Sequence, residues 1–217
     1  MPHSSALLKN ASYSRFLLVL ALLLPVSFLL CLLGWLNDEN IVAGDGIIEN
    51  TQAVFLFLAV VLHVQWLRSL ARFPSLDAYI RIFLAFLCAA FMIRELDISD
   101  FLADFTGGPY HFWRAFEMSI RIFVGAFFLT YILFLLPRVP LFWQNRGRIL
   151  RYPLVQMALM GCVFYLLSWP FDKKLFSFLP SEGWHFLLEG VVELWATLFL
   201  LAAALWPHTL EKSNASS

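Results

Sequence analysis

From Phe16 to Leu36 the chain runs without one charged residue. A helix needs roughly 20 residues, at about 1.5 Å each, to cross a hydrocarbon core of about 30 Å, so this stretch can span a membrane. Five further apolar stretches follow, and together they bring the chain to 61% hydrophobic and 14% charged residues. A soluble domain carries about 45–50% apolar and about 25% charged residues. No polar shell can cover such a chain, so its solvent is lipid. Spans are expected at about 16–36, 47–67, 79–95, 115–136, 152–169 and 184–206. The expected fold is one all-α domain over residues 1–217: a polytopic integral membrane helical bundle of six transmembrane helices, in the cell (inner) membrane. The first stretch exceeds the roughly 7–15 apolar residues of a secretion signal, and no Ala-x-Ala site follows it. It is read as an uncleaved first span, interrupted at Pro25.

Charge sets the expected orientation. Lys9, Arg15, Arg68, Arg72, Arg81, Arg138, Arg146, Arg148, Arg151 and Lys212 fall on one side, against Arg94, Arg114, Lys173 and Lys174 near the other. The positive-inside rule then makes both termini cytoplasmic. Trp35, Trp113, Trp169 and Trp184 mark outer ends and Trp66, Trp143 and Trp206 inner ends, as an aromatic belt requires; Trp195 is mid-span. Formal net charge is zero and there is no long basic run, so membrane lipids are expected partners and nucleic acid is not. Cys31, Cys88 and Cys162 each lie inside an apolar run, without paired spacing, and read as small buried hydrophobes.

Span length forces polar residues into the membrane. The second span is uninterrupted only over Ala53–Leu62, about 15 Å of helix. The third is apolar only from Ile82 to Ile93, the fourth mainly from Ile122 to Leu136, and the sixth offers about 20 Å below Glu193. The shortfall lies mainly on the outer side in all four. Glu49 with Gln52, Arg94 with Glu95 and Asp97, Glu117 with Arg121, and Glu189 with Glu193 therefore come to similar depth. Charges facing lipid there are costly, so they are expected to face one another in a shared pit, with spans one and five more lipid-facing.

The final span carries the densest signal. His185, Glu189 and Glu193 stand at i, i+4 and i+8 on one helix face. Arg114, Glu117 and Arg121 stand at i, i+3 and i+7. Arg121 can pair with Glu117 one turn away, but is better used forking onto Glu189 or Glu193 from another helix. Six acids against three arginines leave an excess of carboxylates, which must take protons or hold a cation.

Catalytic candidates are Glu189, Glu193, Glu95 and Arg121; metal-ligand candidates are His185, Glu189 and Glu49, with His111 more remote. Mixed imidazole and carboxylate ligands suit a divalent cation such as zinc, iron or manganese. No HExxH or HxxxH occurs, only a single ExxH at Glu182–His185. Three readings follow. The first is a cation-dependent enzyme acting on a lipid or lipid-linked substrate, with Arg121 and Arg94 holding a phosphate or carboxylate. The second is a proton- or cation-coupled transporter subunit. The third is a structural or assembly protein in which the same groups fix helix packing. His63 stands alone near the inner end of the second span and reads as an interfacial or packing histidine. No Gly-x-Ser-x-Gly elbow, phosphate-binding glycine loop or dinucleotide fingerprint is present.

Two stretches carry a resemblance. Asp45-Gly46-Ile47-Ile48-Glu49 runs into Ala53-Val54-Phe55-Leu56, and Glu95-Leu96-Asp97-Ile98-Ser99 closes the third span. They resemble the DGxxE and EEISWGQ-like motifs of a group of uncharacterised prokaryotic multi-pass membrane proteins; Asp100-Phe101 stands where that second motif continues with Trp-Gly. The last helix is similar to that group's acidic last helix. The resemblance implies the membrane fold and no activity.

Overall fold

The computed structural model describes residues 3–37, 47–70, 75–96, 98–175, 179 and 181–206. Asp45, Gly46, Arg72, Asp97 and Lys212 lie outside them. The helices in order are α1 (His3–Asn37), α2 (Ile47–Ser69), α3 (Leu76–Glu95), α4 (Ile98–Thr106) and α5 (Tyr110–Leu135), then α6 (Val139–Gln144), α7 (Arg146–Leu150), α8 (Pro153–Asp172) and α9 (Glu182–Leu205). There is no strand among the described residues. Six segments are long and apolar enough to cross a membrane: Leu18–Leu36, Ile47–Ser69, Leu76–Glu95, Tyr110–Gln144, Pro153–Asp172 and Gly183–Leu205.

Local chemistry explains the helix ends that differ from expectation. The third span begins at Leu76, three residues early, because Ser75 caps it: its hydroxyl accepts the Ala78 N–H at 3.2 Å. Asp77, outside the span expected from residue 79, is thereby inside the helix, one turn before Arg81. Pro153 occupies the first turn of α8, where its missing N–H costs nothing. Gly107, at φ +62°, closes α4 as expected, its N–H reaching the Ala103 carbonyl. α4 is a short helix between the third and fourth spans, with Phe105 and Asp104 exposed.

α9 is the central element. It packs against α8, α2 and α1; α3 lies on α2, α5 on α3, and α4 on α5. Over half of its most apolar stretch is buried, 56%, against none of the 18-residue apolar stretch that qualifies Tyr110–Gln144 as a span. The expectation that the first and fifth spans face lipid holds for α1 and fails for α8; α5 is the peripheral helix instead. Small residues decide this. Ala158, Gly161 and Ser168 of α8 are buried, and a Cβ on Gly161 would sit 2.9 Å from Leu200 Cγ and 3.0 Å from the Ala196 carbonyl oxygen. Close backbone approach of this kind is how helices associate without a hydrophobic driving force. α5 buries only Glu117. The mid-span Trp195 ties α1 to the centre, its Nε1 lying 3.0 Å from Ser27 Oγ and 3.2 Å from the Leu24 carbonyl oxygen.

The backbones of α3 and α8 do not pack along one another. The stacked rings of Phe91 and Tyr165, 3.9 Å apart, bridge them. Cavities of about 570 Å³ and 360 Å³ lie along this seam, and Cys162 lines both.

Candidate functional site

The end of the bundle where α3 finishes and α9 begins is the acidic end. There Arg94, in the last turn of α3, extends to α9 and donates from Nη2 to Glu193 Oε1 at 2.6 Å. Its Nε is 3.9 Å from Glu95 Oε1. The Ser168 hydroxyl of α8 lies 3.0 Å from the same Glu193 oxygen and 2.8 Å from the Tyr165 carbonyl oxygen, so its one proton is shared between two acceptors. The Tyr165 hydroxyl is 3.5 Å from Glu95 Oε1, and the Tyr165 ring lies 5.8 Å from the Arg94 guanidinium carbon. Three helices thus meet around one ion pair. Glu193 and Glu95 are nearly buried, whereas the Arg94 side chain is 48% exposed. Its Nη1 makes no hydrogen bond among the described residues.

The larger cavity opens on this cluster. Arg94, Phe91, Tyr165, Ser168, Trp169 and Asp172 line it. Asp172 is paired with Lys173 at 2.6 Å. Glu189 is half-buried, lies within electrostatic range of Glu193, Asp172, Arg94 and Glu49, and makes no hydrogen bond or ion pair among the described residues. Glu49, half-buried on α2, is in electrostatic range of Glu95 as well. Gln52 fastens that wall: fully buried, it donates from Nε2 to the Gly190 carbonyl at 2.9 Å. Gly190 allows the approach, since a Cβ there would touch Ile48 at 3.4 Å.

The expected pit is therefore divided. Glu49, Glu95, Glu189, Glu193 and Arg94 gather at one place, whereas Arg121 is placed elsewhere. It pairs with Glu117 on its own helix, whose other oxygen accepts the Ser99 N–H of α4 at 2.9 Å. The interhelical fork expected from Arg121 comes from Arg94, because α5 packs on α3 and α4 and not on α9. Arg114, Glu117 and Arg121 line a separate cavity of about 220 Å³.

His185 is buried with its Nδ1 unpartnered among the described residues, and His111 is exposed beside Tyr110. Among the described residues no three His, Cys, Asp or Glu side chains converge as a metal site requires, so His185, Glu189 and Glu49 are not brought together as ligands.

The sequence reading missed two features. Ser168 and Tyr165 wall the site from α8 but carry no charge to signal it. At the opposite, basic end, Arg81 lies 3.3 Å from Asp77 Oδ2 and donates from Nη2 to the Trp206 carbonyl at 3.0 Å. The Tyr152 hydroxyl donates to Asp77 Oδ1 at 3.0 Å, and Trp66 lies 5.2 Å from the Arg81 guanidinium. The i, i+4 spacing of Asp77 and Arg81 was the available signal.

Comparison with known proteins finds no matching family model, no matching curated protein and no matching solved structure. Fold and site by themselves define a helical bundle with six segments long and apolar enough to cross a membrane, and a charged cluster on the wall of an interhelical cavity.

Proposed function

We propose that this is a multi-pass inner-membrane protein that takes a lipid or lipid-linked substrate from the surrounding bilayer and acts on it at the acidic end. The observation that carries the reading is the half-exposed Arg94, held by Glu193 and Glu95 on the wall of a cavity of about 570 Å³ between α3 and α8. An arginine fixed by buried carboxylates, with one edge unused, is suited to hold a phosphate or carboxylate head. Glu189, a nearby carboxylate without a hydrogen bond, is the group best suited to move a proton. The excess of arginines at the other end makes the acidic end extracytoplasmic in this reading. A divalent cation is not needed for these roles.

The transporter reading has less support. Between Gln52 and His63 the buried face of α2 is Ala53, Leu56 and Ala59, and α9 opposes it with Val191, Leu194 and Ala196. Thr197 is spent on the Leu194 carbonyl. A proton relay needs polar steps, and this stretch supplies none among the described residues.

The test is mass spectrometry of lipids retained by the purified protein. The wild type should retain an amphiphile that Arg94→Ala loses at least tenfold. Glu189→Gln should keep it bound and leave it chemically unchanged where the wild type converts it. Equal recovery from wild type and Arg94→Ala sinks the reading.

A further inference from the structure

We infer that the two cavities along α3 and α8 hold one long apolar chain, headed by an anionic group at Arg94, and that the protein selects its substrate by the length of that chain. This rests on the functional reading above and names the substrate class it left open. Four observations carry it. The cavities share Cys162 as a wall residue, so they adjoin beside the Phe91–Tyr165 stack. The second, about 360 Å³, is within the roughly 300–1,000 Å³ range of small-molecule sites and is lined by apolar and aromatic residues of α3, α5, α6, α7 and α8. Its single hydroxyl, on Tyr79, accepts from Arg138 Nε at 2.9 Å and so is already engaged.

The third observation is what lines the lower cavity away from Arg94. Val139 and Phe142 of α6 and Ile149 of α7, in the segment that carries the chain from α5 across to α8, form its floor in the inferred site. The Arg138 guanidinium lies 3.8 Å from the Phe134 ring centroid and 5.2 Å from that of Tyr79, beside these residues. A charge there disfavours further passage of an apolar chain.

The fourth is length. Arg94 and Tyr79 are fifteen residues apart on α3, about 22 Å of helix. One leaflet supplies about half of a 30 Å hydrocarbon core, some 15 Å. An ordinary leaflet chain would leave the floor empty, whereas a longer one would fill it. The head is anionic because the half-exposed Arg94 side chain lines the cavity while its Nη2 and Nε are the nitrogens spent on Glu193 and Glu95.

The experiment uses the purified full chain and two probes, eicosyl phosphate and octyl phosphate, measured by native mass spectrometry and corrected by their partition into protein-free micelles. The wild type should prefer eicosyl phosphate at least tenfold beyond partition. Cys162→Phe plugs the junction and should bring that preference to within twofold. A wild type without preference, or a Cys162→Phe protein that keeps it, overturns the chain inference.

A second measurement needs no variant. Eicosyl phosphate with a terminal diazirine should label Leu84, Val155 or Phe142 of the wild type. Labelling confined to outward residues such as Leu23 and Phe123 overturns the inference. Arg94→Ala separates the two readings: loss of both probes supports the head site. Retention of both with the length preference intact removes the head site and leaves the chain site standing.

Discussion

Two arginines, one near each end of α3, show what the fold does with a charge it cannot expose. Arg81 has a side chain of 0% exposure, as has Asp77, and its neighbours come from α2, α8 and the end of α9. Arg94 at the other end is 48% exposed beside a cavity. Both make an ion pair, yet burial separates their roles. A closed pair with residues at the ends of α2, α8 and α9 drawn onto it holds the architecture. A pair left half open, with carboxylates to spare, keeps a guanidinium edge available to something else. The third reading drawn from the sequence, polar groups as packing glue, thus describes the basic end well. The acidic end departs from it in having a cavity where a glued interface would have side chains.

The largest expected effect tests that contrast directly. Arg81→Met leaves Asp77 buried without its cation and should cost about 3–5 kcal/mol, read by unfolding in mixed micelles. Arg94→Met should cost less, about 1.5–3 kcal/mol in the same assay, because it removes a charged hydrogen bond from the nearly buried Glu193 but the guanidinium itself is half exposed. Similar losses at both ends would break the comparison. Tyr152→Phe comes next. It removes a buried hydrogen bond to a carboxylate, for which about 1.5–3 kcal/mol is expected. Its counterpart, Ser168→Ala, removes a hydroxyl whose proton is already divided, and should cost about 0.5–1.5 kcal/mol. If Ser168→Ala proves the more damaging of the two, the acidic end is the structural one and the assignment reverses.

The reach of the sequence follows the same physics. Six helices were legible because length and apolarity mark them, and the gathering of Glu49, Glu95, Glu189 and Glu193 at one end followed from apolar runs too short to exclude them. Which helices face which was not legible. α8 is drawn inward by Ala158, Gly161 and Ser168, residues too small to stand out in a hydropathy profile, while α5 is as apolar and stays outside. That one packing choice brings Ser168 and Tyr165 to the site and keeps Arg121 from it. The Asp77–Arg81 pair escaped notice for another reason. Arg81 reads as an orientation signal, and the Ser75 cap, which extends α3 to take in Asp77, gives it a buried partner one turn away.

Arg121 gives the smallest effect and the sharpest check on the boundary of the site. Its side chain is 43% exposed, and its carboxylate, Glu117, has a second anchor in the Ser99 N–H. Removing the guanidinium therefore leaves Glu117 buried but still hydrogen-bonded, beside Arg114 in the same small cavity. Arg121→Ala should change stability by about 0–1 kcal/mol and leave retention of eicosyl phosphate within twofold of wild type. The measurement decides between two geometries, because the fork onto Glu189 or Glu193 expected from the sequence would make Arg121 as necessary as Arg94. A tenfold loss of the probe in Arg121→Ala would mean that α5 swings against α9 when the substrate is bound, joining the two halves of the divided pit.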